Sequence, residues 1–176
     1  MPRLGRWTPG HVLAIVLVVA FSLAILAIPE EQVAALQEYG YAGIFLISLL
    51  ANATIVIPAP AMLLVFAMGA HLSPIGLGLA AGSGAALGEL SGYLAGSSGQ
   101  ALIEDNSTYQ RLETWVKKYG GFTIFLLAAV PNPVFDLGGI AAGALRMPVL
   151  RFLAWCAAGK ILRMTVVAMA GAGIFG

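Results

Sequence analysis

The chain has 176 residues, of which 60% are hydrophobic and 10% charged, with a net charge of +1. Soluble domains carry about 25% charged residues and need polar cover at their surface, so the composition excludes an ordinary water-soluble fold and makes the bilayer the expected solvent. The near-neutral charge excludes a nucleic-acid partner on electrostatic grounds, and the single cysteine, Cys156, excludes an intrachain disulfide.

The first apolar run covers residues 11–28, behind Arg3 and Arg6. It has the charge pattern of a signal peptide, but it is long for such an apolar region and at the short end for a spanning helix. We read it as a retained first transmembrane helix. Residues 43–70 follow, broken by Pro58-Ala59-Pro60, and residues 75–98 are continuous. Residues 120–145 are broken by Pro131-Asn132-Pro133, and residues 150–175 are again continuous. The polar stretch between the second and third of these four blocks places Tyr109, Leu112, Trp115, Val116 and Tyr119 at three- and four-residue spacing, with Arg111, Lys117 and Lys118 beside them. This predicts an amphipathic helix over 100–118 lying on the membrane surface. His11 and His71 border apolar segments and read as interfacial residues.

The Pro-x-Pro breaks decide the expected architecture. Two prolines in three residues end a helix, because each lacks an N–H and clashes with the preceding turn. Residues 43–57 make only about 22 Å of helix and residues 121–130 about 15 Å, both short of a ~30 Å hydrocarbon core. Each broken block therefore reads as a hairpin that enters the membrane and returns on the same side. Charge placement agrees. With a cytoplasmic N-terminus and two hairpins, Arg3, Arg6, Arg111, Lys117, Lys118, Arg146 and Arg151 all fall inside, and the outer segments 29–42 and 71–74 hold no lysine or arginine. If both blocks spanned instead, Arg111, Lys117 and Lys118 would face outward.

An internal repeat runs through the same blocks. Tyr39-Gly40, Ile44-Phe45-Leu46, Pro58-Ala59-Pro60, Gly69, Pro74 and Gly88-Glu89 are echoed by Tyr119-Gly120, Ile124-Phe125-Leu126, Pro131-Asn132-Pro133, Gly143, Pro148 and Gly159-Lys160. The repeat units are 39–98 and 119–175, within a single membrane domain over 1–176. The expected fold is an all-α integral membrane protein with three spanning helices and two opposed re-entrant helical hairpins in an inverted repeat. Paired broken helices in inverted halves mark transporter substrate sites.

Four charges fall within apolar segments: Glu89, Asp136, Lys160 and Arg163. Such residues usually face a bundle interior, pair with one another and mark a pathway. One reading makes Glu89–Lys160 and Asp136–Arg163 structural ion pairs that lock the bundle. The other has Lys160 and Arg163 draw a phosphate head group inward while Glu89 and Asp136 bind a proton or cation. Asn132 either caps a half-helix or binds ligand, and Pro58, Pro60, Pro131 and Pro133 form the hairpin turns. Positions 76, 80, 84, 88, 92 and 96 are Gly, Ala, Gly, Gly, Gly and Gly, a stripe that admits another backbone closely. No hydrolase constellation, phosphate loop or poised thiol is present in the sequence, so no enzyme and no cofactor are expected.

The run Pro131-Asn132-Pro133-Val134-Phe135-Asp136-Leu137, with Gly139, Gly143 and Gly159-Lys160, resembles the VTT domain of the DedA and SNARE-associated Golgi protein superfamily, in the form of its vacuole membrane protein branch. Gly88-Glu89, Gly92-Tyr93 and Gly96 resemble the family's first block. The resemblance covers residues 39–173. It implies two facing re-entrant hairpins and lipid movement between leaflets by a scramblase or flippase, with Glu89, Pro131, Asn132, Pro133, Asp136 and Lys160 as the matched functional residues. Bacterial members of the family are associated with recycling a lipid phosphate, coupled to a proton or cation gradient. Typical DedA members carry arginines on both sides of the second proline turn, where this chain has Ala128 and Val134. That departure weighs against a carrier-lipid phosphate as substrate.

The chain is thus expected to transport phospholipid or a lipid phosphate in a prokaryotic inner membrane, alone or as a homo-oligomer. The alternatives are a proton- or cation-coupled small-solute transporter and a non-transporting membrane scaffold. The topology is testable with Leu72→Cys, Gln110→Cys and Met147→Cys. An impermeant thiol reagent added from outside is expected to label only the first, and labelling at position 110 would refute the hairpin reading.

Overall fold

The computed structural model describes residues 39–53, 59–98, 107–131 and 135–175. The predicted helix at 11–28, the start of the 100–118 helix and Pro58, Asn132 and Pro133 lie outside these residues. The described chain is all-helical. Its eight helices are α1 (Gly40–Ala53), α2 (Ala59–Met68), α3 (Pro74–Gly88), α4 (Leu90–Ser97), α5 (Ser107–Tyr119), α6 (Gly121–Ala129), α7 (Phe135–Ala144) and α8 (Val149–Phe175).

Local chemistry accounts for most of the boundaries. Ser73 caps α3 by accepting from the Gly76 N–H at 3.5 Å, and Pro74 takes the first helical position, where its missing N–H is harmless. Val130 ends α6 in extended geometry (φ −94°, ψ 127°), as its position before Pro131 favours. After α7, Arg146 adopts a left-handed φ of 51°. The Arg146 N–H donates to Gly143 O at 2.9 Å and the Met147 N–H to Ala142 O at 3.0 Å. This is the Schellman arrangement, with arginine where glycine is usual, and Pro148 follows to stop the helix.

The apolar block at 75–98, expected to be continuous, is divided at Glu89. There ψ relaxes to −10° while φ stays at −66°. The chain remains right-handed, and the Tyr93 N–H still donates to Glu89 O at 3.1 Å. The change is therefore a local tightening, and α3 with α4 forms one element about 36 Å long. Helix α8 has 27 residues, about 40 Å. Among the described residues it is the one helix long and apolar enough by itself to cross a membrane.

Close backbone contacts at glycines fix the directions of packing. Gly76 meets Tyr41, Gly84 meets Phe45 O, and Gly88 meets Leu49 O and Ala53 N, so α1 and α3 run side by side in the same sense. Gly78 meets Thr165 and Gly82 meets Ile161, so α3 and α8 run oppositely. Gly121 meets Trp155 and Gly159 meets Phe125 O and Ala129 N, which makes α6 parallel to α8. Gly139 lies near Glu89 O and Gly143 near Tyr93 O and Ser97 N, which makes α7 parallel to α4. Gly69, just after α2, meets Ala168 and Ala172 late in α8. The start of α1 and the end of α2 therefore both lie beside the N-terminal end of α3. In the same way, the start of α6 and the end of α7 both lie beside the N-terminal end of α8.

Two apolar clusters fill the interior. One joins Tyr93, Val116, Ile124, Phe152 and Cys156, and the other joins Ile44, Val65, Leu77, Met164 and Ala168. Tyr93 stacks on Phe152 with ring centroids 5.1 Å apart, and its hydroxyl donates to Met147 O at 2.5 Å. On the polar helix α5, Leu112 and Val116 are buried while Trp115 and Tyr119 on the same side are exposed, so the residues of the expected apolar face differ in how far they are covered. Thr123 ties α5 to α6 by donating to Trp115 O at 3.0 Å.

The Gly82 seam tests this packing, because a side chain there would strike the backbone of Ile161. Gly82→Val is expected to destabilise the protein by about 1–3 kcal/mol, read as a lower melting midpoint in detergent. Gly173→Ala, which meets nothing within 4 Å, is expected to leave the midpoint unchanged or slightly higher.

Candidate functional site: a buried lysine between two helix ends

Lys160 is the largest polar side chain in the interior, with 1% of its surface exposed. It stands midway along α8. Its ammonium donates to Glu89 Oε1 at 2.5 Å and to Asn52 Oδ1 at 2.6 Å. Glu89 is 5% exposed. Asn52, in the last turn of α1, is half-buried, and its own amide donates to Ser48 O at 2.8 Å. That second bond fixes which way the amide faces, so its oxygen is presented to the lysine.

Three seams build this arrangement. Gly88 lets α1 come close enough for Asn52 to reach the level of Glu89, as the nearness of Gly88 to Asn52 Cβ shows. Gly82 sets α3 against α8 around Ile161, next to Lys160. Gly159 admits the last turn of α6, with Ala128 and Ala129 against the residue that precedes Lys160. Both helices that stop at proline-containing breaks, α1 and α6, thus end beside the same buried ion pair.

Moving two charges out of water costs several kcal/mol per ion, and their mutual attraction roughly offsets this when the geometry is good. The pair is therefore about neutral for stability while intact, but either charge alone would be severely destabilising. Lysine has three donors and no acceptor. Here one proton meets a full negative charge and another meets a neutral amide, so the two contacts differ in strength.

The remaining sequence-predicted residues are distributed as follows. Arg163, one turn along α8 from Lys160, is half-buried. Asp136 lies in the first turn of α7, and its side chain is outside the described set. Pro131 follows directly on α6 and is exposed, and Pro60 is the second residue of α2. The structure thus joins Glu89 to Lys160. The pairing of Asp136 with Arg163 and the placing of Asn132 fall on undescribed atoms. Sequence reasoning missed Asn52. The available signal was a lone amide within an otherwise apolar block, of the kind that hydrogen-bonds across membrane helices.

Removal of one charge tests the balance. Lys160→Met is expected to destabilise by about 3–5 kcal/mol by stranding Glu89, while the double variant Glu89→Leu with Lys160→Met recovers most of that loss. Melting in detergent reads both, and equal midpoints for the single and double variants would contradict the coupling.

Comparison with known proteins gives a family. The profile of the VTT domain matches residues 57–173. Vacuole membrane protein KMS2 of Arabidopsis thaliana is 34% identical over 103 residues, covering 48% of this chain and 25% of that protein. Vacuole membrane protein KMS1 of the same plant is 32% identical over 106 residues, covering 48% of this chain and 26% of that protein. The matched region spans about a quarter of the length of either relative. No solved structure matches the chain.

Proposed function

The chain belongs to the VTT domain family, and on that premise we propose that it moves phospholipid or a lipid phosphate between leaflets through a site where α1 and α6 end. In this reading α1–α2 and α6–α7 are re-entrant hairpins entering from opposite faces. The element α3–α4, helix α8 and the segment 11–28 are the three spanning helices. The opposite senses of α3 and α8, each accompanied by its own parallel short helix, support an inverted repeat of the kind that places substrate sites at the midplane.

The observation that carries the proposal is the buried ammonium of Lys160 at the meeting of those short helices. A cation placed deep in an apolar protein is a suitable anchor for a phosphate oxygen. Lys160 and Arg163 attract the head group. Glu89 and Asp136 take up a proton or cation that resets the site, and Asn132 of the second Pro-x-Pro break contributes to binding in the same reading. The partners are membrane lipids and the coupling ion. No covalent chemistry and no cofactor are involved. The protein works in a prokaryotic inner membrane with its N-terminus in the cytoplasm.

Purified protein in vesicles of phosphatidylethanolamine and phosphatidylglycerol, with a trace of fluorescent phospholipid, tests this. Leaflet exchange is expected to exceed that of empty vesicles at least tenfold. Glu89→Gln and Lys160→Ala are each expected to lower it at least tenfold. Folded protein that gives no exchange would refute the proposal. Proton or sodium flux without lipid movement would assign the site to a small solute.

A further inference from the structure

We infer that Asn52 is the exchangeable ligand of Lys160, the acceptor that a substrate phosphate oxygen replaces when it enters the site. This rests on the proposed lipid reading and deepens it by naming the atom that the substrate displaces. Three observations carry it. Among the acceptors of Lys160 are two of unequal strength, the Glu89 carboxylate at 2.5 Å and the Asn52 carbonyl oxygen at 2.6 Å. An incoming anion displaces the neutral one, because the bond between two charged groups is the stronger. The two acceptors also sit on different parts of the frame. Glu89 belongs to the long α3–α4 element, while Asn52 belongs to the short helix α1. Finally, Asn52 retains an internal bond to Ser48 O at 2.8 Å that does not involve Lys160. Its amide nitrogen therefore keeps a partner that holds the side chain in place after the lysine lets go, and only Oδ1 has to find another donor.

In this account Asn52 is a positioning residue. It fills the phosphate place when the site is empty and keeps the ammonium solvated by protein. Glu89 stays on Lys160 throughout, so the anion meets an ammonium that already has a carboxylate partner. Substrate is then held firmly enough to enter and loosely enough to leave.

Ligand-induced thermal shift of the full chain in detergent, titrated with dihexanoyl phosphatidic acid, tests the inference without requiring transport. Dihexanoylglycerol serves as the phosphate-free control, and inorganic phosphate shows whether the anion alone suffices. Asn52→Asp places a second carboxylate on the ammonium and is expected to weaken phosphatidic acid binding at least tenfold while raising the melting midpoint of the empty protein. Asn52→Ala vacates the place and is expected to tighten binding or leave it unchanged. Lys160→Met is expected to abolish binding. Asn52→Asp and wild type binding equally would overturn the inference. Loss of binding in Asn52→Ala as great as in Asn52→Asp would also overturn it, since a merely structural role for Asn52 predicts that pattern. If binding follows the expected order but vesicles show no leaflet exchange, the ligand swap stands and the transport reading fails.

Discussion

The structure depends on how one ammonium group is kept in an apolar interior. Lys160 has water on almost none of its surface, so protein acceptors must replace its hydration shell. Two of its acceptors come from two different helices. Each is brought within reach by a glycine that removes a side chain from a helix seam. The glycine pattern and the local tightening at Glu89 lie around the same ion pair. A cation at this depth constrains its surroundings far more than an apolar residue would, because a small displacement exposes an unpaired charge.

The same arrangement rests on close helix seams. Elements α3–α4 and α8 touch backbone to backbone at Gly78 and Gly82, with almost nothing compressible between them. The short helices are seated in the same way, α1 on α3 at Gly84 and Gly88 and α6 on α8 at Gly159. Such seams hold one register and do not slide by degrees. Asn52 adds a neutral hydrogen bond from α1 to the ion pair.

Much of this was legible in the sequence, for physical reasons. The all-helical class followed from composition and from apolar blocks of helical length. The end of α6 followed from Pro131, which pushes the residue before it out of helical geometry; the expected end of α1 before Pro58 lies outside the described residues. The meeting of Glu89 with Lys160 was offered there as one of two readings, since charges in apolar segments tend to find each other. Asn52 was not legible in the same way. Its role comes from Gly88 drawing α1 against α3, a distance that no pattern within α1 reveals. The difference in burial along one face of α5, Leu112 and Val116 covered but Trp115 and Tyr119 exposed, was likewise hidden, because helical spacing alone does not say how far a neighbouring element covers a face. The local tightening at Glu89 left no mark that a run of small and apolar residues would show.

One feature common to both halves bears on how such a protein could be tuned. Tyr39-Gly40 and Tyr119-Gly120 each lead into a short helix, and both glycines adopt a positive φ, of +48° and +58°. Nothing lies within 4 Å of where a Cβ would stand at either position. A positive φ disfavours any residue but glycine through backbone sterics, and at Gly120 it goes with a ψ of −131°, outside the left-handed helical region, so at these two places the penalty would be torsional. Evolution, or a designer, thus has a pair of swivels whose resistance can be set independently of every packed surface in the protein.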